Sequence, residues 1–470
     1  MWTHAHVHHW IAQPDRWDAV LSIPDEVNAV VVDLGSFTVK VGYAGEDTPK
    51  HVFPSLTLAG IDPKSQALGS IDSPPNGDAM EVDGVGPSGR TFKVGTASLA
   101  VPQDGLEVIS PFSEAGVLED WDALEALYNH AFKDQLRLDL KEHPLMLGEP
   151  SNTPRPVREK QVELLFERYD TPAVFLAKNA VLSAFSTGRQ TALVVDAGHA
   201  QTMVAAVHDG YVLQKSVIRS PLGGALLTRC LMHSVQSGGT RIHPRFDFQR
   251  VETVPGQFEV KYEARKYRGP DGELHAVTAT DSYRRHTVLS IAQDLKDAVC
   301  RVSDGPFDPE ENANIPQVTY ELPDGQEIQV GADRFAVPEA LFNPGLLARY
   351  GAEGAPDDAA PAPAPLQAAV NECVARCDVD ARRELYANAL LTGGTAGFAS
   401  LRERLEREVT EAAPALARVK LVSPSNPVER RYSVWIGGSV LASLGSFQQM
   451  WMSKAEYAEY GPGLIHKKAP

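Results

Sequence analysis

Two aspartates in this chain end apolar runs and open glycine-bearing turns. Ala29-Val30-Val31-Val32 leads into Asp33-Leu34-Gly35-Ser36, and Ala192-Leu193-Val194-Val195 leads into Asp196-Ala197-Gly198. A third small-residue turn, Thr392-Gly393-Gly394-Thr395, lies far downstream. Turns of this kind can point backbone N–H groups at an anion such as phosphate. A carboxylate beside the phosphates can hold Mg²⁺ through the ion's water shell. Ser36 adds a hydroxyl donor, and Lys40 can bring positive charge to phosphate oxygens. One Asp-x-Gly turn says little, because turns use both residues everywhere. Two such turns after apolar strands, with Gly-Gly-Thr downstream, make a candidate phosphate and metal site.

The elements that must carry these turns are legible as a repeat. The first strand, Ala29 to Asp33, is followed by a turn and a second strand through Val39, Val41 and Tyr43. The second half restarts in the same way: a buried strand ending at Asp196, a turn, and the apolar run Met203 to Val207. Repetition of one unit predicts an α/β protein of two similar halves facing each other. Helical spacing of apolar residues predicts helices from Trp121, with Asp120 as cap, and over Arg158–Tyr169, Asn179–Phe185, Arg284–Val302, Ala399–Glu411 and Tyr432–Phe447. Short strands are expected at Ala173–Leu176 and Arg418–Val422. Residues 57–90 read as a mobile Gly/Pro/Ser/Asp-rich insertion, 236–280 as an irregular charged one, and 352–366 as an Ala/Pro-rich exposed loop. The histidine-rich residues 1–26 read as a disordered extension.

Composition bounds the function. The 470 residues carry a formal net charge of -17. That field repels nucleic-acid backbones and favours basic partners, so direct DNA binding is not the expected main role. Cys230, Cys300, Cys373 and Cys377 form no paired zinc-ligand set and fit reduced thiols. No apolar run approaches the ~20 residues of a membrane-spanning helix, and the N-terminal stretch lacks a secretory pattern.

The three turns, in this order, resemble the two phosphate motifs and the adenosine motif of the actin superfamily. The resemblance extends through Val41-Gly42-Tyr43-Ala44-Gly45-Glu46-Asp47, Asn179-Ala180-Val181-Leu182-Ser183 and Tyr320-Glu321-Leu322-Pro323-Asp324-Gly325. It is strongest from Arg431-Tyr432-Ser433-Val434-Trp435-Ile436-Gly437-Gly438-Ser439 to Met450-Trp451. It covers most of residues 29–468 and implies an actin-like fold, two similar lobes of four subdomains around a nucleotide cleft. The implied lobes are 27–186 plus 433–470, and 187–432. The implied ligands are ATP and Mg²⁺. Asp33 and Asp196 would flank the metal through its bound water, and Gly35, Ser36, Lys40 and Gly198 would bind the phosphates. Gly224, Lys296, Asp297, Gly394, Thr395, Phe398 and Arg431 would surround the adenosine, with Lys296-Asp297 in place of a Lys-Glu pair.

Departures from that pattern bear on activity. The resemblance implies that a glutamine and a histidine place the attacking water in actin, and the matching positions here are Asn179 and Met203. Asn is one methylene shorter, and Met neither donates nor accepts usefully. The second turn reads Asp196-Ala197-Gly198-His199-Ala200 where actin has Asp-x-Gly-Asp-Gly, and Phe37 replaces a glycine, which predicts a crowded first turn. Slow or absent ATP turnover is expected, and no catalytic residue is assigned. The insertions speak against a filament former.

Phe37, His208–Gln214, Lys215–Leu222, Val302-Ser303-Asp304 and Val428-Glu429-Arg430-Arg431 resemble the fourth, nuclear class of actin-related proteins. That resemblance implies a nuclear scaffold role in SWI/SNF-type chromatin remodellers and a histone acetyltransferase complex. The implied partners are actin, a long amphipathic helix of a large ATPase or platform subunit, and histones or nucleosomes. Candidate residues for the helix-binding cleft lie near Tyr169, Ala184 and Leu444. The competing readings are a slow ATPase and a cytoskeletal relative that binds filaments.

Overall fold

The computed structural model describes residues 29–61, 89–255, 257–268, 273–351, 363–415 and 417–470. The extension 1–26 lies outside them, as do 62–88 and 352–362 of the expected insertions.

Val30, Val31 and Val32 are buried on both faces of their strand, the pattern of a central strand in a sheet covered on both sides. Val30–Leu34 pairs in parallel with Leu145–Glu149, which pairs in parallel with Ala173–Lys178. On its other side Val30–Leu34 pairs antiparallel with Thr38–Tyr43, and His51–Pro54 follows. Met452–Ser453 closes the far edge, giving six strands.

The second lobe repeats this plan. Ala192–Ala197 pairs antiparallel with Thr202–His208 and in parallel with Ala389–Thr392, which pairs in parallel with Leu421–Val422. Tyr211–Val212 and Ile218–Ser220 both pair with Thr202–His208. The repeat extends to single residues. Asp33 lies opposite Lys40 in the first hairpin, and Asp196 lies opposite Met203 in the second. Each lobe has its own apolar core.

Two helices cross between the lobes. Asn179–Ser186 packs Ala180, Val181 and Ala184 against Val194, Ala205 and Leu390 of the second lobe. Pro427–Ala442 crosses it at Gly437, where an added Cβ would stand 1.8 Å from the Leu182 carbonyl oxygen. Only hydrogen fits there, so the backbones touch. The fully buried Trp435 donates from Nε1 to the Val31 carbonyl at 3.0 Å, tying this helix to the strand that carries Asp33. The expected lobe boundary between 432 and 433 therefore falls inside one continuous helix, which belongs to both lobes.

Two of the expected insertions contain regular structure. Thr57–Ile61 is the middle strand of a three-stranded sheet with Arg90–Val94 and Glu107–Ile109, so the insertion starts after residue 61. Within 236–280, Gln249–Val254 pairs with Gln257–Lys261, and Lys266–Arg268 pairs with Leu274–Ala276. The helix from Trp121 has the expected cap, Asp120 accepting from the Ala123 N–H, but widens to π geometry over His130–Leu136. The expected Arg418–Val422 strand is confined to Leu421–Val422.

The small sheet of the first lobe meets the second lobe directly. The Val108 N–H donates to Ser282 Oγ at 2.8 Å, and Thr280 Oγ1 donates to the Leu106 carbonyl at 2.8 Å. The Tyr283 hydroxyl donates to the Leu99 carbonyl at 2.8 Å. Leu58, Leu99, Phe246 and Tyr283 form a separate buried cluster beneath these bonds.

Candidate functional site

A cavity of about 620 Å³ lies between the lobes, within the range of small-molecule and cofactor sites. It is lined by Asp33, Gly35, Ser36, Lys40, Asp196, Gly198, Gly224, Lys296, Asp297, Gly394, Thr395, Phe398 and Arg431, and also by Asn179 and Met203. Residues far apart in the chain are thus gathered around one space, because the two hairpins and the Gly-Gly-Thr turn meet at the crossing helices.

One end is built from the hairpin turns. Asp33 is buried and paired with Lys40, Nζ to Oδ2 at 2.8 Å. Lys40 therefore neutralises a carboxylate as well as facing the cavity. Burial and the neighbouring Asp33 carboxylate push Asp196 up to about 6, with Lys40 acting in the opposite sense. Two neighbouring carboxylates, of which Lys40 pairs with only one, suit a divalent cation. The turns are tight: a Cβ on Gly198 would stand 2.8 Å from the Gln201 carbonyl oxygen. Gly393, at φ 95°, would place one 2.3 Å from the Ala197 carbonyl oxygen. The lobes touch here, the Ala200 N–H donating to Ser36 Oγ at 3.3 Å. Phe37 does not crowd its turn; its ring leaves it and lies against His199, centroids 4.7 Å apart.

The other end is built from the third turn and from residues of later helices. Thr395 donates from Oγ1 to the Gly198 carbonyl at 2.7 Å, joining the third turn to the second. A Cβ on Gly224 would stand 2.8 Å from that hydroxyl. Lys296 is buried, donates to the Gly224 carbonyl at 3.4 Å, and lies 5.7 Å from the Phe398 ring centre. Asp297 sits at the rim with its side chain half exposed, 3.3 Å from Lys296 Nζ. Arg431 is exposed at the opposite rim. An aromatic face, two cations and small-residue turns can hold a flat heterocycle.

Asn179 and Met203 both line the cavity. Met203 is 7% exposed and brings only a thioether to the position opposite Asp196. The buried Asn179 Oδ1 accepts no hydrogen bond among the described residues.

Several lining residues escaped the sequence reading, among them Gln201, Gln293, Arg301 and Arg334. They come from loops and helix faces with no local motif. Arg430 holds the Gly-Gly-Thr turn, donating from Nη1 to the Ala396 carbonyl at 2.9 Å. The three helix-cleft candidates differ in exposure. Tyr169 is buried against Tyr128 and Phe132, and Ala184 is wholly buried. Tyr169 still lines a second cavity, with Lys133, Arg137 and Lys141, and Leu444 is partly exposed.

Comparison with known proteins agrees with this architecture. The family model described as Actin matches residues 24–470. The chain is 47% identical over 457 residues to actin-related protein 4 of Oryza sativa subsp. indica, covering 95% of this chain and 99% of the relative. It is 45% identical over 463 residues to actin-related protein 4 of Arabidopsis thaliana, with the same coverage. Actin-related protein 4 of Yarrowia lipolytica is 35% identical over 445 residues, covering 94% and 96%. The chain belongs to the actin family, in the class of the actin-related proteins 4.

Proposed function

We propose that this chain is a non-catalytic, ATP-binding scaffold subunit acting in the nucleus, within SWI/SNF-type chromatin remodellers and histone acetyltransferase complexes. The observation that supports the non-catalytic part is that Asn179 and Met203, at the positions where the resemblance to actin implies water-handling residues, line an otherwise furnished cleft. Asp33 and Asp196 would hold Mg²⁺ through its waters. Gly35, Ser36, Lys40 and Gly198 would hold the phosphates, with the adenosine between Lys296, Phe398 and Arg431. Bound Mg²⁺ supplies neutralising charge for the two carboxylates and the phosphates. Hydrolysis needs a positioned water and a route for its proton, and a thioether offers neither. Nucleotide held between the lobes would stabilise their joint surface by mass action. That surface would dock actin and an amphipathic helix of a large partner subunit near Leu444, and regulate transcription and DNA repair through chromatin.

The test has two arms. Purified chain incubated with Mg–ATP is expected to bind it and release no phosphate above background; sustained release would establish an enzyme. Tagged chain isolated from nuclei is expected to bring down actin and a remodeller ATPase, whereas recovery with cytoplasmic filaments alone would favour the cytoskeletal reading.

A further inference from the structure

His199 occupies the phosphate end of the cavity without a carboxylate partner among the described residues. Its ring is held by a tilted aromatic contact instead. Phe37, from the first lobe's turn, lies against it at 4.7 Å, beside the Ala200 to Ser36 hydrogen bond that joins the same two turns. Burial, with the positive charges of Lys296 and Arg229, lowers its pKa to about 4. Near neutral pH the ring is uncharged and presents one N–H donor and one acceptor.

The surrounding charges explain what such a group would add. Lys40 is committed to Asp33 at 2.8 Å, and Lys296 is shared with Asp297 at 3.3 Å. Asp196 has no cationic partner within ion-pair range among the described residues. A polyphosphate entering this chamber gains most from donors that bring no negative charge. A carboxylate at position 199 would repel the phosphates unless a cation bridged the two.

We propose that His199 is a phosphate-binding residue, whose ring N–H, oriented by Phe37, donates to the terminal phosphates of the bound nucleotide and lessens the need for a divalent cation. This rests on the reading of the cleft as a nucleotide site. A hydrogen bond to a charged acceptor is worth about tenfold or more in affinity.

The experiment is calorimetric titration of the full chain with ATP and with adenosine, each in Mg²⁺ and in EDTA. The proteins are wild type, His199→Gln, His199→Ala and His199→Asp, each first checked by its unfolding midpoint without ligand. Wild type is expected to keep measurable ATP affinity in EDTA, and His199→Gln, which retains a neutral donor, to stay close to it. His199→Ala should lose about tenfold for ATP and nothing for adenosine. His199→Asp should lose more than His199→Ala in EDTA and recover most of the difference in Mg²⁺. Should wild type take up no ATP in either buffer, the nucleotide reading itself falls. Should wild type bind while His199→Ala matches it in both buffers, the His199 assignment falls and the nucleotide reading stands. Equal behaviour of His199→Asp and His199→Ala in both buffers would overturn the cation-sparing role.

Discussion

Met203 stands directly opposite Asp196 across the second hairpin, the position that Lys40 holds opposite Asp33 across the first. The two hairpins share one geometry and differ in what they aim at the cavity. The first brings an ammonium that neutralises its aspartate, while the second brings an apolar side chain that does nothing for its own.

Turnover should therefore be recoverable at these positions. The double variant Asn179→Gln with Met203→His is expected to raise single-turnover phosphate release by about a hundredfold over wild type, the scale of a positioned acid–base group. Either single change should give less. An unchanged rate in a double variant that still binds ATP would place the barrier elsewhere.

Acidity should act through Asp196. Its carboxyl is raised to about 6 in the free protein, so the folded chain holds a proton there that the unfolded chain has already lost. This contribution favours the folded state below the ordinary carboxylate range and disappears as pH rises through about 6. A cation has the opposite preference, for the ionised form. Mg–ATP affinity is thus expected to weaken as pH falls below about 6. The melting temperature of nucleotide-free protein should carry an Asp196 contribution that declines over the same interval on raising pH. Asp196→Asn should flatten both profiles; a wild-type affinity that holds constant through that interval would contradict the assignment.

Nucleotide residence should depend on the contact between the first lobe's small sheet and the start of the helix Asp281–Val299. The C-terminal part of that helix lines the cavity through Gln293, Lys296 and Asp297, while Tyr283 near its start bonds Leu99 of the other lobe. Tyr283→Phe removes one hydrogen bond worth about 1 kcal/mol. Release of a fluorescent ATP analogue is expected to quicken about fivefold, with no change in the cavity lining. Stopped-flow chase against unlabelled ATP measures it, and an unaltered rate would mean that the analogue leaves by another route.

The helix crossing should tolerate no side chain. Gly437→Ala would put a carbon 1.8 Å from the Leu182 carbonyl oxygen, forcing the helices apart at a cost of about 3 kcal/mol or more. Gly445→Ala, where an added Cβ meets no atom within 4 Å, is the matched control. Denaturant unfolding should separate the two clearly, and equal midpoints would show that the crossing relaxes freely.

The parts of this architecture that could be read from the chain were those specified locally. Val30–Asp33 and Ala192–Asp196 are apolar enough to demand a buried strand, and their Asp-x-Gly turns mark where the strands end. Thr57–Ile61 was hidden because its pairing comes from residues far along the chain, and because Gly60 breaks its pattern. A Cβ at Gly60 would stand 2.4 Å from Leu106 Cδ2, so the glycine answers to a neighbour that sequence spacing does not reveal. The hairpin at Gln249–Lys261 is exposed on nearly all strand positions, which leaves no alternation to detect. Ala184, wholly buried, illustrates the converse: helical apolar positions look alike whether they face a partner or a core. In the site, the residues carried by motif lie together, whereas Gln293, Arg301 and Arg334 belong to no motif.

The helix Pro427–Ala442 begins among cavity-lining residues, Pro427, Arg431, Ser433 and Val434, and ends one residue before Ser443 and Leu444 at the surface. Sixteen residues make a rod about 24 Å long, and Trp435 bolts its middle to the strand bearing Asp33. Such a rod has no slack in which to absorb a displacement. Anything that tilted its inner end would swing its outer end, so a change in the cavity would be felt at Ser443 and Leu444.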